Sequence, residues 1–452
     1  MSMDDTRHIA EELLIDYADD PASVPNRAQV EEHLDACAAC WTKLDDYRLL
    51  AEAMRHEETW WAAREIADGA GRRALRETLA RRKTEDQEAE RLLRPLLDSE
   101  YRFRYRNIIR RKAFHTGGVV RLLCAAAREQ GDRDPRFALA IADTAAAIAE
   151  LLPNGSYPAS GVYELRGTAW KEYATVCRYL ARFESAFDAL NRAARAYRRL
   201  LDPEMQLAVV KLARGVLLWE QQRYAEALEF VRLAAHVFSE RRETARYFEA
   251  KEVEAVILQR QGNIVEARDT YRMALDLADT IGDPEMKARA ARNLGIACRD
   301  SGDLGSASKY LLAALQLYES LDQRARVVHT RWSIARLALS AGNAREAAQR
   351  LPSLILELSE LGMVGDAAHA QLDLAEALLL LERFAEVHDA CTSLFAFFRG
   401  ANMLTGALTA AAFLREAATR RTLTRQHIEG VRTYLVALER QPDLVFAPPP
   451  ER

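Results

Sequence analysis

Three side chains that could ligate a metal lie close together near the N-terminus: His33, Cys37 and Cys40, in the string HLDACAAC. On a helix, residues four apart share a face, so His33 and Cys37 point the same way. Cys40 stands three further on, at or just past the helix end. His8, at the start of the preceding helix, can close a tetrahedron of two imidazole nitrogens and two thiolates. That donor set suits zinc, with Zn–S near ~2.3 Å and Zn–N near ~2.0 Å, and four protein ligands leave no position for water, so the site is expected to be structural. The Cys37/Cys40 pair has two other readings, a metal-free redox couple or coincidence. Ala38 and Ala39 between the thiols do not resemble a thioredoxin-type active site, and no βαβ pattern surrounds them, so zinc is preferred. If His8 is instead an exposed N-terminal histidine, Asp5 or His56 would have to complete the set.

These donors need a small helical segment to position them, HIAEELLIDYADDPASVPNRAQVEEHLDACAACWTKLDDYRLL (8–50). A segment of this size is near the limit at which a hydrophobic core alone suffices. Structural zinc contributes on the order of 10–16 kcal/mol in small domains at neutral pH.

The rest of the 452 residues must fold differently. Apolar residues are 49% and charged residues 29%, enough for a large core and against disorder. Gly (20) and Pro (13) are few for a loop-rich all-β chain. A net charge of −4 gives no global field for a polyanion. The longest apolar runs, such as Ala377–Leu381, fall far short of the ~20 residues of a membrane span. The start, MSMDDTRHIAEELL, has no signal-peptide h-region, and six Cys with one CxxC pair argue against a secreted disulfide scaffold. The expectation is a soluble, cytoplasmic protein without a membrane segment.

An internal repeat dominates the remainder. Ala186, Ala227, Ala267, Ala307, Ala347 and Val387 follow one another at 40 or 41 residues. Twelve positions upstream of each lie Ala174, Gly215, Ala255, Gly295, Ala335 and Ala375; seven downstream lie Ala193, Ala234, Ala274, Ala314, Leu354 and Leu394. Small residues in fixed columns mark helices that cross closely, because only Gly or Ala lets the backbones approach. Gly262-Asn263, Gly302-Asp303 and Gly342-Asn343 supply left-handed residues to end the first helix of a pair. Asp202-Pro203 and Asp283-Pro284 begin the next one.

This pattern resembles the tetratricopeptide repeat in a long-helix form with about forty residues per unit, over roughly 160–400. The usual late Pro is missing and the large aromatic column is mostly Leu, Cys or Ala. The resemblance implies an all-α chain in which a right-handed superhelical α-solenoid follows the small zinc-bound domain, with a groove that takes a peptide or protein. Such arrays bury each helix pair only against its neighbours and present a surface rather than converging catalytic groups.

At His33–Cys40, with His8 upstream, residues 8–50 resemble the zinc-binding anti-sigma domain of bacteria. The first ligand there is more often Cys, so His8 is a departure. Members of that family wrap helices around an extracytoplasmic-function sigma factor. The resemblance therefore implies partner contacts at Leu13, Leu14 and Tyr17 on the first helix and at Leu34, Trp41, Leu44, Tyr47 and Leu50 around and after the CxxC. Burial inside the zinc unit itself is the competing reading for each. Many members continue into a transmembrane helix, whereas this chain continues into repeats.

Other candidates carry less. The stretch YRFRYRNIIRRKAF (101–114) sets Arg102, Arg104, Arg106, Arg110, Arg111 and Lys112 among aromatics, a composition that can stack bases and pair phosphates; a solvated or intramolecularly paired helix is preferred, which argues against nucleic-acid binding. Cys124, Cys177, Cys298 and Cys391 read as small buried hydrophobes. Gly117-Gly118 is read only as a turn, and no phosphate loop, nucleophile elbow or HExxH string appears. His236, His329, His369 and His388 are scattered through repeat helices.

The domain organisation expected is therefore 1–55 zinc-binding, 56–115 charged helical linker, 116–158 degenerate helical hairpin, 159–400 six repeats, 401–440 capping helices and 441–452 Pro-rich tail. The function expected is a soluble anti-sigma-like transcription regulator without enzymatic activity, with a scaffold or adaptor carrying a purely structural zinc unit as the competing class.

Overall fold

A computed structural model describes residues 8–19, 21, 24, 27–55, 69–97, 108–131, 134–153, 157–400, 405–440 and 444–448. Among these, the chain is all-α, with 20 α-helices and no strands. It divides into two compact units, 1–217 and 218–452.

In the first unit, three short helices, α1 (Glu11–Asp19), α2 (Arg27–Ala36) and α3 (Ala38–Arg55), form the N-terminal part. Next comes α4 (Gly69–Leu97), expected to lie in a linker. Its second half is instead built into the fold. Ala89 and Leu93 are buried together with Val119, Val120 and Leu123 of α5 (Gly117–Gln130) and Ile141 of α6 (Pro135–Glu150). Arg121 holds Asp86 at 2.8 Å, and the Tyr157 hydroxyl donates to Glu85 at 2.9 Å while accepting from the Gly117 N–H. Gly117-Gly118 is thus the first turn of α5, where a Cβ on Gly118 would stand 2.4 Å from the Glu85 carbonyl oxygen. Periodicity in α4 hides this docking because its charged face dominates the composition. Two more helices, α7 (Ala159–Tyr179) and α8 (Phe183–Tyr197), complete a further pair, and α9 (Glu204–Glu220), most of which lies in this unit, follows.

The second unit repeats one theme: α10 (Tyr224–Glu240), α11 (Thr244–Arg260), α12 (Ile264–Ile281), α13 (Pro284–Asp300), α14 (Leu304–Ser320), α15 (Arg324–Ser340), α16 (Ala344–Glu360), α17 (Val364–Leu380) and α18 (Phe384–Gly400). Between them the chain turns at a residue of positive φ every 20 positions, from Gln222 through Arg242, Gly262, Gly282, Gly302, Asp322, Gly342 and Gly362 to Glu382. Each turn satisfies the carbonyls left over at the helix end; after α11, Gly262 N–H reaches Gln259 O and Asn263 N–H reaches Leu258 O. Asp283 accepts from the N–H groups of Glu285 and Met286 to start α13.

The three small-residue columns are buried in this unit: Ala255, Ala267, Ala274, Ala307, Ala314, Ala335 and Ala347 are fully enclosed. Gly295 shows why they are small, since a Cβ there would stand 2.8 Å from Leu311 Cγ and 3.1 Å from its backbone N. The end of the unit is closed by α19 (Thr405–Thr419) and α20 (Arg425–Arg440), and 444–446 of the Pro-rich tail dock on them. Phe446 lies against Phe413 and Tyr434, with ring centroids 5.6 and 5.0 Å apart, and Tyr434 donates to Leu444 O at 2.8 Å.

Gly295→Val is expected to destabilise the second unit by about 1–3 kcal/mol through overpacking against Leu311, measured as a lower melting temperature, although Val is a better helix former than Gly.

Candidate metal centre

The sequence places its donors at helix ends, where backbone geometry fixes them. His33 lies in the last turn of α2, and its carbonyl accepts from Cys37 N–H at 2.8 Å, which carries the helical repeat through the junction. Cys37 stands between α2 and α3, immediately before Ala38. Cys40 is in the first turn of α3 and buried. His8 comes from outside this hairpin; α1 lies against α3 through Leu14, Tyr17 and Leu44, and so carries the preceding residues to the thiols.

The result is one cluster. Ligand atoms of His8, His33, Cys37 and Cys40 all lie within 4.8 Å of one another. His8 Nδ1 is 3.4 Å from Cys37 Sγ and 3.5 Å from Cys40 Sγ. Bonds of ~2.0–2.3 Å to a central ion give a tetrahedron with edges of about 3.3–3.8 Å, so both separations match tetrahedral edges. His33 Nε2 is buried with no hydrogen-bond partner, a cost that a ligated nitrogen would not carry. Donor identity, spacing and the orphaned nitrogen therefore all fit a cation.

The two thiols differ. The backbone N–H of Cys40 at the open end of α3 holds the Cys37 thiol below its usual range, as helix N-termini do for anions. Burial pushes the Cys40 thiol up, opposed by the Ile9 N–H, which lies 3.4 Å from its sulfur.

Around the site, Leu14, Tyr17, Leu34 and Leu44 form the interior of the unit with Val24, Val30 and Cys40. Four of the expected partner contacts are thus core residues. Leu13 and Tyr47 are half-buried against the same cluster, and the Leu50 side chain lies outside the described residues. Tyr17 also donates to Glu31 at 3.0 Å, and Glu31 accepts from Arg27 at 2.7 Å. Trp41 is 50% exposed beside the Arg48 guanidinium, and Ile15, which the sequence reading passed over, is 47% exposed. Ile15 was legible in one respect: burying Leu14 and Tyr17 of a nine-residue helix turns the position beside Leu14 outward.

Asp5 and His56, the fallback donors, lie outside the described residues, as do Arg102, Arg104 and Arg106; Arg110, Arg111 and Lys112 are exposed. Cys124, Cys177, Cys298 and Cys391 are buried, and burial pushes the Cys391 thiol up to about 12, the behaviour of an inert packing residue. His236 pairs with Glu240, His329 with Asp366 and His388 with Asp389, while burial lowers His369.

Comparison with known proteins agrees with this geometry. Residues 8–40 match the family described as "Putative zinc-finger", and residues 252–320 match the tetratricopeptide repeat. The chain is a tetratricopeptide-repeat-like solenoid with a zinc-finger-family segment at its N-terminus. No curated protein matches it in sequence. Among solved structures it is similar to the signal transduction ATPase with numerous domains and a tetratricopeptide repeat sensor from Pyrococcus horikoshii, at 11% identity and a TM-score of 0.53, over 97% of this chain and 73% of that one. It is also similar to BtubC from P. vanneervenii (17% identity, 51% of this chain and 93% of that one, TM-score 0.45). A third is the Rap conjugation gene regulator of plasmid pLS20 in complex with the Phr* peptide (15% identity, 74% and 96%, TM-score 0.43). At these identities the likeness is one of fold. Among the described residues no helix is long and apolar enough to cross a membrane.

Leu14→Ala is expected to destabilise the N-terminal unit by about 2–5 kcal/mol and Ile15→Ala by no more than about 0.5 kcal/mol. Amide exchange over 8–55 should rise in the first variant only, with 244–400 unchanged in both.

Proposed function

We propose that residues 8–55 hold one structural zinc ion and dock a sigma factor of the extracytoplasmic-function type, while the repeats take a second protein or peptide that sets when the first is released. The convergence of His8, His33, Cys37 and Cys40, on a segment matching a zinc-finger family, carries this reading. Two nitrogens and two thiolates favour zinc over harder cations, and its tetrahedral preference needs no further ligand. Bound there, the ion cross-links the entry to α1, the end of α2 and the start of α3, doing for a small core what disulfides do elsewhere. With no open coordination position the site does no chemistry, and the protein acts as a cytoplasmic, non-enzymatic regulator. Among the described residues, Ile15 on α1 and Trp41 on α3 are large apolar side chains left exposed for docking.

A second reading has its own support. Because Leu14, Tyr17, Leu34 and Leu44 are interior, the zinc unit can also be a purely structural cap on a repeat scaffold that recognises partners through its helices alone.

Purified protein is expected to carry one zinc per chain, and Cys37→Ser to lose it; unchanged metal content in that variant contradicts the site. A chelator should unfold 8–55 and spare the repeats. The two readings separate in an affinity purification from the organism that makes the protein, run beside a His33→Ala/Cys37→Ala variant. A sigma factor recovered with the parent and lost with the variant is the outcome expected. The same non-sigma partners in both would sink the regulatory reading in favour of the scaffold.

A further inference from the structure

After α20 the chain is non-helical at 444–448, and its side chains alternate between the protein and solvent. Leu444 is half-buried against the core of the last helices, Val445 is 83% exposed, Phe446 is buried and Ala447 is exposed again. Two aromatic rings receive Phe446: Phe413 of α19, and Tyr434 of α20, which meets it edge-on with the ring planes at 72°. The Tyr434 hydroxyl donates to the Leu444 carbonyl at 2.8 Å. Gly406 makes room for that bond, since a Cβ there would collide with the Tyr434 hydroxyl and stand 3.2 Å from the Leu444 carbonyl oxygen. Together these groups form a seat that reads one backbone carbonyl and two side chains two positions apart.

The seat is firm and its occupant is lightly held. α20 stays in place on its own account: Ile428, Val431, Leu435 and Leu438 are buried, and Arg432 pairs with Asp373 and Glu376 of α17. By contrast, residues 444–448 are held, among the described residues, by that single hydrogen bond and by Leu444 and Phe446, with Val445, Ala447 and Pro448 in solvent. A contact this small opens locally far more readily than the helices beneath it unfold. The tail also leaves a polar atom beside the seat unmet. His427 lies edge-on to Phe413, with ring centroids 5.3 Å apart, and its buried Nδ1 has no hydrogen-bond partner among the described residues.

We propose that α19 and α20 form a docking seat for an extended Leu-x-Phe segment of a partner protein, kept closed by residues 444–446 of the chain itself. The chemistry of the partner follows from the occupant already seated. It needs an aliphatic side chain, an outward residue of any kind and an aromatic side chain, with the carbonyl of the first accepting from Tyr434. The closed form sets a threshold, because a ligand's apparent affinity falls by the fraction of molecules whose seat is open. A partner must compete with a segment joined to α20 through residues 441–443 alone, and such a short tether gives an effective concentration on the order of millimolar. Nothing in the seat depends on residues 8–55, so failure of the sigma-factor reading leaves it untouched.

The test uses the full chain with Phe446→Ala, which empties the seat, and a fluorescently labelled peptide of residues 441–452, QPDLVFAPPPER. In anisotropy titrations the peptide should bind this variant at least about tenfold more tightly than it binds the parent, where the tail competes. Val445→Lys in the peptide should leave binding unchanged, and Phe446→Ala in the peptide should abolish it. Tyr434→Phe in the emptied chain should weaken binding about threefold to tenfold, through loss of one hydrogen bond, with little change in melting temperature. If Phe446→Ala folds poorly, the parent decides: excess Val445→Lys peptide should speed amide exchange at 444–447 while α17 stays protected. No binding to the emptied chain, equal binding by parent and variant, or indifference to Phe446 in the peptide overturns the proposal. So does a parent that sediments as a dimer beside a Phe446→Ala chain that sediments as a monomer, for then the tail seats on a second copy instead of closing its own seat.

Discussion

Close backbone approach at small side chains is the constraint from which the repeat region follows. Helices of 17 residues cannot bury their apolar faces alone, and each must lie against its neighbours. That is achieved where Ala255, Ala267, Ala274, Ala307, Ala314, Ala335 and Ala347 are enclosed and where Gly295 meets Leu311. The turn at every twentieth position keeps the helices in phase, and the requirement is strong enough to hold Gln222, Arg242, Asp322 and Glu382 in the left-handed region that side chains usually avoid. Because the packing repeats, polar side chains on the first helices stand at fixed spacing, as Asn293–Glu252, Gln259–Asp300 and Trp332–Asp373 do.

The N-terminal unit solves a different problem. Its interior is small: Leu14, Tyr17, Val24, Val30, Leu34, Cys40 and Leu44. Three helix ends meet at the two thiols and two imidazoles, and Cys40 belongs both to this core and to the metal site. The cation would then stabilise the fold that presents Ile15 and Trp41. Loss of one donor would disturb the proposed docking surface without touching it directly.

What was legible in the sequence had a local cause. His33, Cys37 and Cys40 could be read because helical periodicity fixes residues three and four apart, and the repeat could be read because identical packing demands recur at forty residues. The αL turns at Gly262, Gly302 and Gly342 were visible through glycine. Those at Arg242 and Asp322 were not, because tertiary packing rather than propensity sets them. Non-local docking was equally hidden. Nothing in the charged run of α4 announces that Ala89 and Leu93 are buried under Val119 and Leu123, and nothing in a Pro-rich tail announces that Phe446 stacks against Tyr434. Of the partner contacts that the family resemblance implies, Leu14, Tyr17, Leu34 and Leu44 are held in the core of the small unit, whereas Trp41 is exposed.

If four protein donors close a tetrahedral zinc site around which residues 8–55 fold, X-ray absorption at the zinc edge of the purified chain should show a four-coordinate ion with two sulfur neighbours near ~2.3 Å and two nitrogens near ~2.0 Å. An oxygen ligand from water in place of one nitrogen would reopen the site to chemistry. Absence of zinc from protein purified without chelators would contradict such a site outright.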